Sequence, residues 1–264
     1  MDLKEQLEAN AITDREQVDP AKSSIESYIL PTGLLDDSGV LHKEVIVREL
    51  TGNEEDILSS RKFSIFKRFQ EVLEKCTISI GSVSQKDPNW SKYIYSLPVS
   101  DRVYLMLKIR QVSLGDNYAF KVGCPSCEKV SSHTVSLDSF KIDGMKNPEK
   151  RFWESSMPKS GKKYKAKIQT GVEEEKMSKF TAENIDFASL ILLARLTEID
   201  GKSPVTLQMV KELSMADRLA IRKDLGEHEG EIDRSIEIQC PHCGHEFSSD
   251  INIGSADFFF PSEM

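Results

Sequence analysis

The chain has 264 residues, 39% of them hydrophobic and 30% charged, with a formal net charge of −8. That length predicts one large domain or two small ones with a sizeable core, and no stretch approaches the ~18–20 apolar residues of a membrane-spanning helix. The acidic balance argues against a general nucleic-acid binder, because no excess of Lys and Arg is available to neutralise phosphates. The polar, acidic residues 1–19 predict neither a signal peptide nor a transit peptide.

In chain order, residues 1–27 read as a flexible leader interrupted by Pro20. Asp37-Ser38-Gly39 between apolar flanks signals a hairpin, and the β-branched run Val45, Ile46, Val47 predicts its second strand. Thr51, followed by Glu54 and Glu55, reads as a helix entry. Apolar residues over 57–80 recur at three- and four-residue intervals, which predicts an amphipathic helix with a break near 59–62. Residues 86–96 read as a polar connection. A second helix is expected over 101–112 with Ser100 as its N-cap, then a strand over 118–122 and another over 130–140.

The second part of the chain runs in a similar order. Residues 157–161 form a turn, 164–168 a strand, 172–179 an acidic helix and 187–196 an apolar helix that Asp200-Gly201 ends. Short helices follow over 206–213 and 217–225. Strands over 236–238 and 247–253 flank Cys240 and Cys243. Asp101-Arg102 lies 23 residues before Cys124, and Asp217-Arg218 lies 23 before Cys240. In that register Leu105 matches Ile221, Ile109 matches Leu225 and Pro125 matches Pro241. The expectation is an α+β fold built from a duplicated unit of hairpin, helices and zinc-knuckle hairpin, over about 28–143 and 152–260.

Four of the five cysteines form two CxxC pairs, Cys124/Cys127 and Cys240/Cys243. In a chain with no export signal this spacing favours metal over disulfides. One knuckle supplies two thiolates, and a closed structural zinc site needs four at ~2.3 Å, so the two knuckles are expected to meet as one zinc ribbon interrupted by 112 residues. A redox CxxC belongs at a helix N-terminus, whereas both pairs here lie between predicted strands. Separate sites completed by His133 and by His242 or His245 have mismatched spacings. Cys76 reads as a small core residue, and His42 and His228 as isolated. Asp101 and Asp217 read as first-turn residues of helices, favoured by the macrodipole, and Arg102 and Arg218 as internally paired. The basic positions over 159–167 read as a solvated strand face. No nucleophile, phosphate-loop or metalloprotease motif is present. The apolar end Phe258-Phe259-Phe260 either packs back on the ribbon as a final strand or docks into a partner.

Some of these residues also carry a family likeness. Leu30-Pro31-Thr32-Gly33, the stretch from Gly39 through Arg48-Glu49-Leu50-Thr51-Gly52 to Glu55, Asp101-Arg102, Gly115-Asp116 and Cys124-Pro125-Ser126-Cys127 together resemble the T4-type baseplate hub proteins. These are also labelled baseplate hub assembly chaperones, of contractile-tailed phages and contractile injection systems. The resemblance covers about residues 28–260. It implies a non-enzymatic role in building or forming the hub inside the producing bacterium, or in the finished baseplate. The implied partners are hub, spike or tape-measure proteins. The competing expectation is a zinc-ribbon adaptor in transcription or nucleic-acid metabolism, against which the net charge of −8 speaks.

Overall fold

The Asp-rich turn predicted near the start of the chain is present and joins β1 (Ile25–Leu35) to β2 (Leu41–Arg48). Asp36 Oδ1 accepts from the amides of Ser38 and Val40, both at 2.9 Å, which is the local bonding that lets Asp hold a turn. The computed structural model describes residues 24–181, 186–253 and 258–260. Most of the leader (residues 1–23) therefore lies outside the described residues, and β1 already begins at Ile25.

Thr51 starts α1 (Gly52–Ser59). The Glu54 carboxylate reaches back to the Thr51 amide at 3.0 Å and hydroxyl at 2.8 Å, and Arg48 pairs with it at 2.9 Å. After the expected break, Ser64 caps α2 (Ile65–Cys76) by accepting from Lys67 N. The helix period then gives way earlier than the sequence suggested. Residues 77–80 are a strand, β3 (Thr77–Ile80), paired with β2 and followed by β4 (Val83–Ser84). The order β1-β2-β3-β4 makes a four-stranded antiparallel sheet.

The segment read as a polar connection contains α3 (Trp90–Ser96), whose Trp90 and Ile94 are buried. Helix α4 (Val99–Leu114) starts after Pro98, so Ser100 is not its cap and its hydroxyl is buried without a partner. Pro supplies a preset φ at a helix start, which moves the entry about half a turn earlier. Hairpin β5 (Asn117–Gly123)–β6 (Val130–Ser136) follows; the predicted second strand stops at Ser136, where a 3-10 turn (Leu137–Ser139) and β7 (Ile142–Asp143) take over.

The second half opens with a strand the sequence did not signal, β8 (Phe152–Ser156), paired with β9 (Lys163–Lys167). Then come α5 (Gly171–Thr181), α6 (Phe187–Arg195) and β10 (Leu196–Ile199), the last inserted before the expected Asp200-Gly201 stop. Sheet order β10-β9-β8 results. Helices α7 (Leu207–Glu212) and α8 (Met215–Glu227) are capped by Thr206 and Ser214 hydroxyls. Strand β11 (Glu231–Ile232) pairs back with β7, and β12 (Ser235–Gln239)–β13 (Glu246–Asp250) forms the last hairpin.

Two apolar cores result. One gathers residues of the first half, among them Leu30, Val72, Leu105 and Ile109, and also takes in Ile251, Ile253, Phe258 and Phe259 from the end of the chain. The other lies between Met145 and Leu225, around Trp153, Tyr164, Leu192 and Ile221.

Candidate metal centre

Each cysteine pair sits at the tip of a two-stranded hairpin. At the β5–β6 tip, Cys124 donates its amide to Lys129 O at 3.0 Å, and Glu128 N donates to Cys124 O at 2.9 Å. At the β12–β13 tip, Cys240 N donates to His245 O and Gly244 N to Cys240 O, both at 2.9 Å. The fifth residue of each turn is left-handed, Glu128 at φ 61° and Gly244 at φ 73°. This tight turn aims both thiols of a pair to one side.

The two tips meet. Cys124 Sγ lies 3.7 Å from Cys243 Sγ, and Cys127 Sγ lies 3.7 Å from Cys240 Sγ. All four sulfurs lie within 4.8 Å of one another. Four sulfurs placed tetrahedrally at zinc-ligand distance have edges of about 3.8 Å, so the donor set fits a four-thiolate zinc ion, and no two of these sulfurs are at bonding distance. Backbone amides also face the sulfurs, as Ser126 N does to Cys124 Sγ at 3.4 Å. Burial opposes ionisation of Cys240, but the amides of His242 and Cys243 and the neighbouring sulfurs outweigh it and bring the thiol to about 6. The His245 amide faces Cys243, yet burial and the adjacent sulfurs push that thiol up to about 11. A cation among the four would relieve the crowding of negative charge that raises it.

The candidate histidines go elsewhere. His133 Nε2 is 2.8 Å from Ser131 Oγ, and the His245 ring stacks on Phe247. Among the described residues the four cysteines form the cluster without a histidine. His42 Nε2 meets Asp36 Oδ2 at 2.9 Å, and His228 stacks on Trp153 with centroids 4.1 Å apart. Cys76 is fully buried, and burial pushes its thiol up to about 12, as suits a packing residue. The basic strand face is paired: Lys163 with Glu154, Lys165 with Glu198 and Lys167 with Glu173.

Both arginines of the Asp-Arg pairs bond internally, as expected, and the two Asp residues do more than open their helices, which the sequence had not indicated. Asp101 accepts from the amides of Thr32 at 2.8 Å and Gly33 at 2.6 Å, pinning the irregular end of β1. Asp217 accepts from the amide of Lys159 at 2.8 Å, in the β8–β9 turn. Arg102 donates to Gln70 and to Ile94 O, and Arg218 to Ser189 and to Val210 O. Phe258 and Phe259 are buried in the first core and Phe260 packs half-buried against it, so the tail returns to the chain's own first half.

The chain belongs to the T4 bacteriophage base plate protein family, whose description matches residues 39–260. No curated protein and no solved structure matches it. Among the described residues no helix is long and apolar enough to cross a membrane.

Proposed function

We propose that this chain is a non-enzymatic structural or assembly component of the baseplate hub of a contractile tail or injection system. In this reading one structural zinc, held by Cys124, Cys127, Cys240 and Cys243, fixes the orientation of two copies of one folded unit. The family match over residues 39–260 carries the baseplate role, and the meeting of two knuckles, 116 residues apart in sequence, with sulfur spacings suited to a zinc tetrahedron, carries the clamp. Four thiolates fill a tetrahedral ion, so the metal would serve as a clamp that supplies folding free energy. Non-enzymatic work is supported by the engagement of His42 with Asp36 in the β1–β2 turn, by the stacking of His228 on Trp153 and by the burial of the Cys76 thiol.

The duplication, over about 28–143 and 152–260, has local support at the level of single bonds. Thr170 and Glu173 repeat the Thr51–Glu54 contact 119 positions later, with Lys167 in the place of Arg48. The pairs Val47↔Thr77, Ile46↔Ser79 and Val45↔Ile80 recur as Ala166↔Leu196, Lys165↔Glu198 and Tyr164↔Ile199, including the same register shift. The left-handed residues Gly81 and Asp200 follow those strands in both halves.

Hub, spike or tape-measure proteins are the partners in this reading, met in the cytoplasm of the producing bacterium during tail assembly. The test is deletion of the gene from the producing phage or injection system. The expected result is loss of assembled baseplates, restored by the wild-type chain and not by a Cys124→Ser/Cys240→Ser variant. Normal baseplates without the chain would overturn the proposal. Mass spectrometry of purified tails from the restored strain reads whether the chain stays in the particle.

A further inference from the structure

Besides the knuckles, the β7–β11 pairing and the packing of α2 and α3 on α5, the two halves meet at the start of α4. Val99 donates its amide to Gln169 O at 3.0 Å, and Pro98 bridges Thr170. Arg102 Nε lies 2.7 Å from Glu174 Oε2. Val99 and Val103 line a cleft of about 210 Å³ together with Ile168, Gln169, Gly230 and Ile232. The start of α4 thus acts as an insert, and the segment leading from β9 into α5, with the chain after α8, acts as its socket.

If the halves are equivalent, as proposed above, each part has a counterpart. In α8, Ser214, Met215, Arg218 and Leu219 stand 116 positions after Pro98, Val99, Arg102 and Val103. On the socket side, Leu50, Thr51 and Glu55 stand 119 positions before Gln169, Thr170 and Glu174. Leu114 stands 116 positions before Gly230. One bond shows the two sockets are built alike: Leu50 N donates to Ser113 Oγ at 2.8 Å, and Gln169 N donates to Glu229 Oε1 at 2.8 Å.

This second insert and second socket are open. Met215 is 68% exposed and Leu219 55%, one turn apart on α8, and Leu114 is 38% exposed. Thr51 and Glu55 are exposed as well. Arg218 uses its two Nη atoms on Val210 O and Ser189 Oγ, which leaves Nε, the atom Arg102 offers to Glu174, unengaged among the described residues. The charges on that face are also opposite: Arg218 and Arg222 stand beside Met215 and Leu219, while Asp217 is engaged by Lys159 N, Asp224 by Trp153 and Tyr164, and Glu227 by Lys223, and the open socket carries Glu49, Glu55 and Asp56.

A contact that uses one insert and one socket, and leaves one of each, is heterologous, and heterologous contacts propagate into rings or filaments. We infer that the open insert on α8 docks into the Leu50–Leu114 socket of a second copy of this chain, giving a head-to-tail assembly. The inference rests on the equivalence of the two halves.

The test is sedimentation velocity of the full, zinc-loaded chain over a concentration series. Wild type is expected to grow past dimers as concentration rises. Leu219→Glu on the insert and Glu55→Arg on the socket should each raise the concentration needed by at least about tenfold, with zinc content and far-UV circular dichroism unchanged. A mixture of the two variants should form one-to-one dimers and nothing larger, because it retains one sound insert and one sound socket. Association that persists in both variants overturns the docking, since the contact would then lie elsewhere, and leaves the equivalence of the halves standing. A wild-type chain that stays monomeric up to its solubility limit overturns the docking and leaves the equivalence standing. Variants that fail to associate when mixed overturn the head-to-tail geometry.

Discussion

Arg110, within α4, donates its Nε proton to the carbonyl of Phe258, 148 residues further along the chain, at 2.9 Å. Arg110 is 1% exposed, and burial pulls its pKa down. Its Nη1 donates to Gly115 O at 3.0 Å, and its guanidinium carbon lies 5.0 Å from the Tyr118 ring centroid and 5.3 Å from that of Phe258. Carbonyl dipoles and aromatic faces therefore hold this buried charge, and the tail supplies one of each. Phe258→Ala should cost about 3–5 kcal/mol of unfolding free energy, as deletion of a buried aromatic does. Phe260→Ala, at a half-buried position, should cost far less. Urea denaturation followed by circular dichroism measures both, and equal small losses would contradict the packing of the tail.

How far the sequence foretold this arrangement depends on the range of the interactions involved. The break between α1 and α2, the Thr51 entry and both knuckles are written in short spacings, and they appear where those spacings place them. Helix α3 was missed because Lys, Ser and Tyr residues dominate its window, although Trp90, Ile94 and Leu97 bury at helical intervals. Strands β3 and β10 were missed because each leaves the preceding helix with no Gly or Pro between, Cys76 into Thr77 and Arg195 into Leu196. Pairing with β2 and β9 decides them, and that is a tertiary effect. The destination of Phe258, in the core of the other half, has no local signature at all.

Metal content follows from the sulfur geometry. The purified chain should carry one zinc, counted by native or elemental mass spectrometry. Cys124→Ser or Cys240→Ser should lose it and lower the Tm by roughly 10 °C or more, given the several kcal/mol a structural zinc supplies. A chelator strong enough to strip the ion should reproduce that shift in the wild type and leave the serine variants unmoved. A metal-free variant that melts with the wild type would remove the clamp from the account.

Asp101 gives the fold a pH dependence. Burial raises its carboxyl from 3.8 to about 6, against the opposing Thr32 and Gly33 amides and the Arg151 charge. Between about pH 4 and 6 the folded state then binds more protons than the unfolded chain, so this contribution to stability is present at the acid end and is lost as pH rises through the window. The wild type should lose about 1–3 kcal/mol relative to Asp101→Asn, which does not titrate, between pH 4 and 6.5. Urea unfolding of both proteins across that range reads the difference. An opposite slope would mean that the two amide bonds to the ionised carboxylate outweigh its burial.

Glu128 and Gly244 occupy the same left-handed place in the two knuckle turns, at φ 61° and φ 73°. A side chain in that region crowds its own backbone at a cost of about 1 kcal/mol or somewhat more, which glycine avoids. Glu128 is exposed, and a Cβ built on Gly244 meets nothing within 4 Å, so neither position adds a packing penalty to the backbone one. Glu128→Gly should therefore stabilise the chain by about 1 kcal/mol and Gly244→Glu destabilise it by a similar amount, both with zinc retained. Denaturation midpoints at saturating zinc separate the two. If both substitutions destabilise, Glu128 contributes through its side chain something the turn geometry does not account for; if neither moves the midpoint, the metal alone sets the shape of the turns.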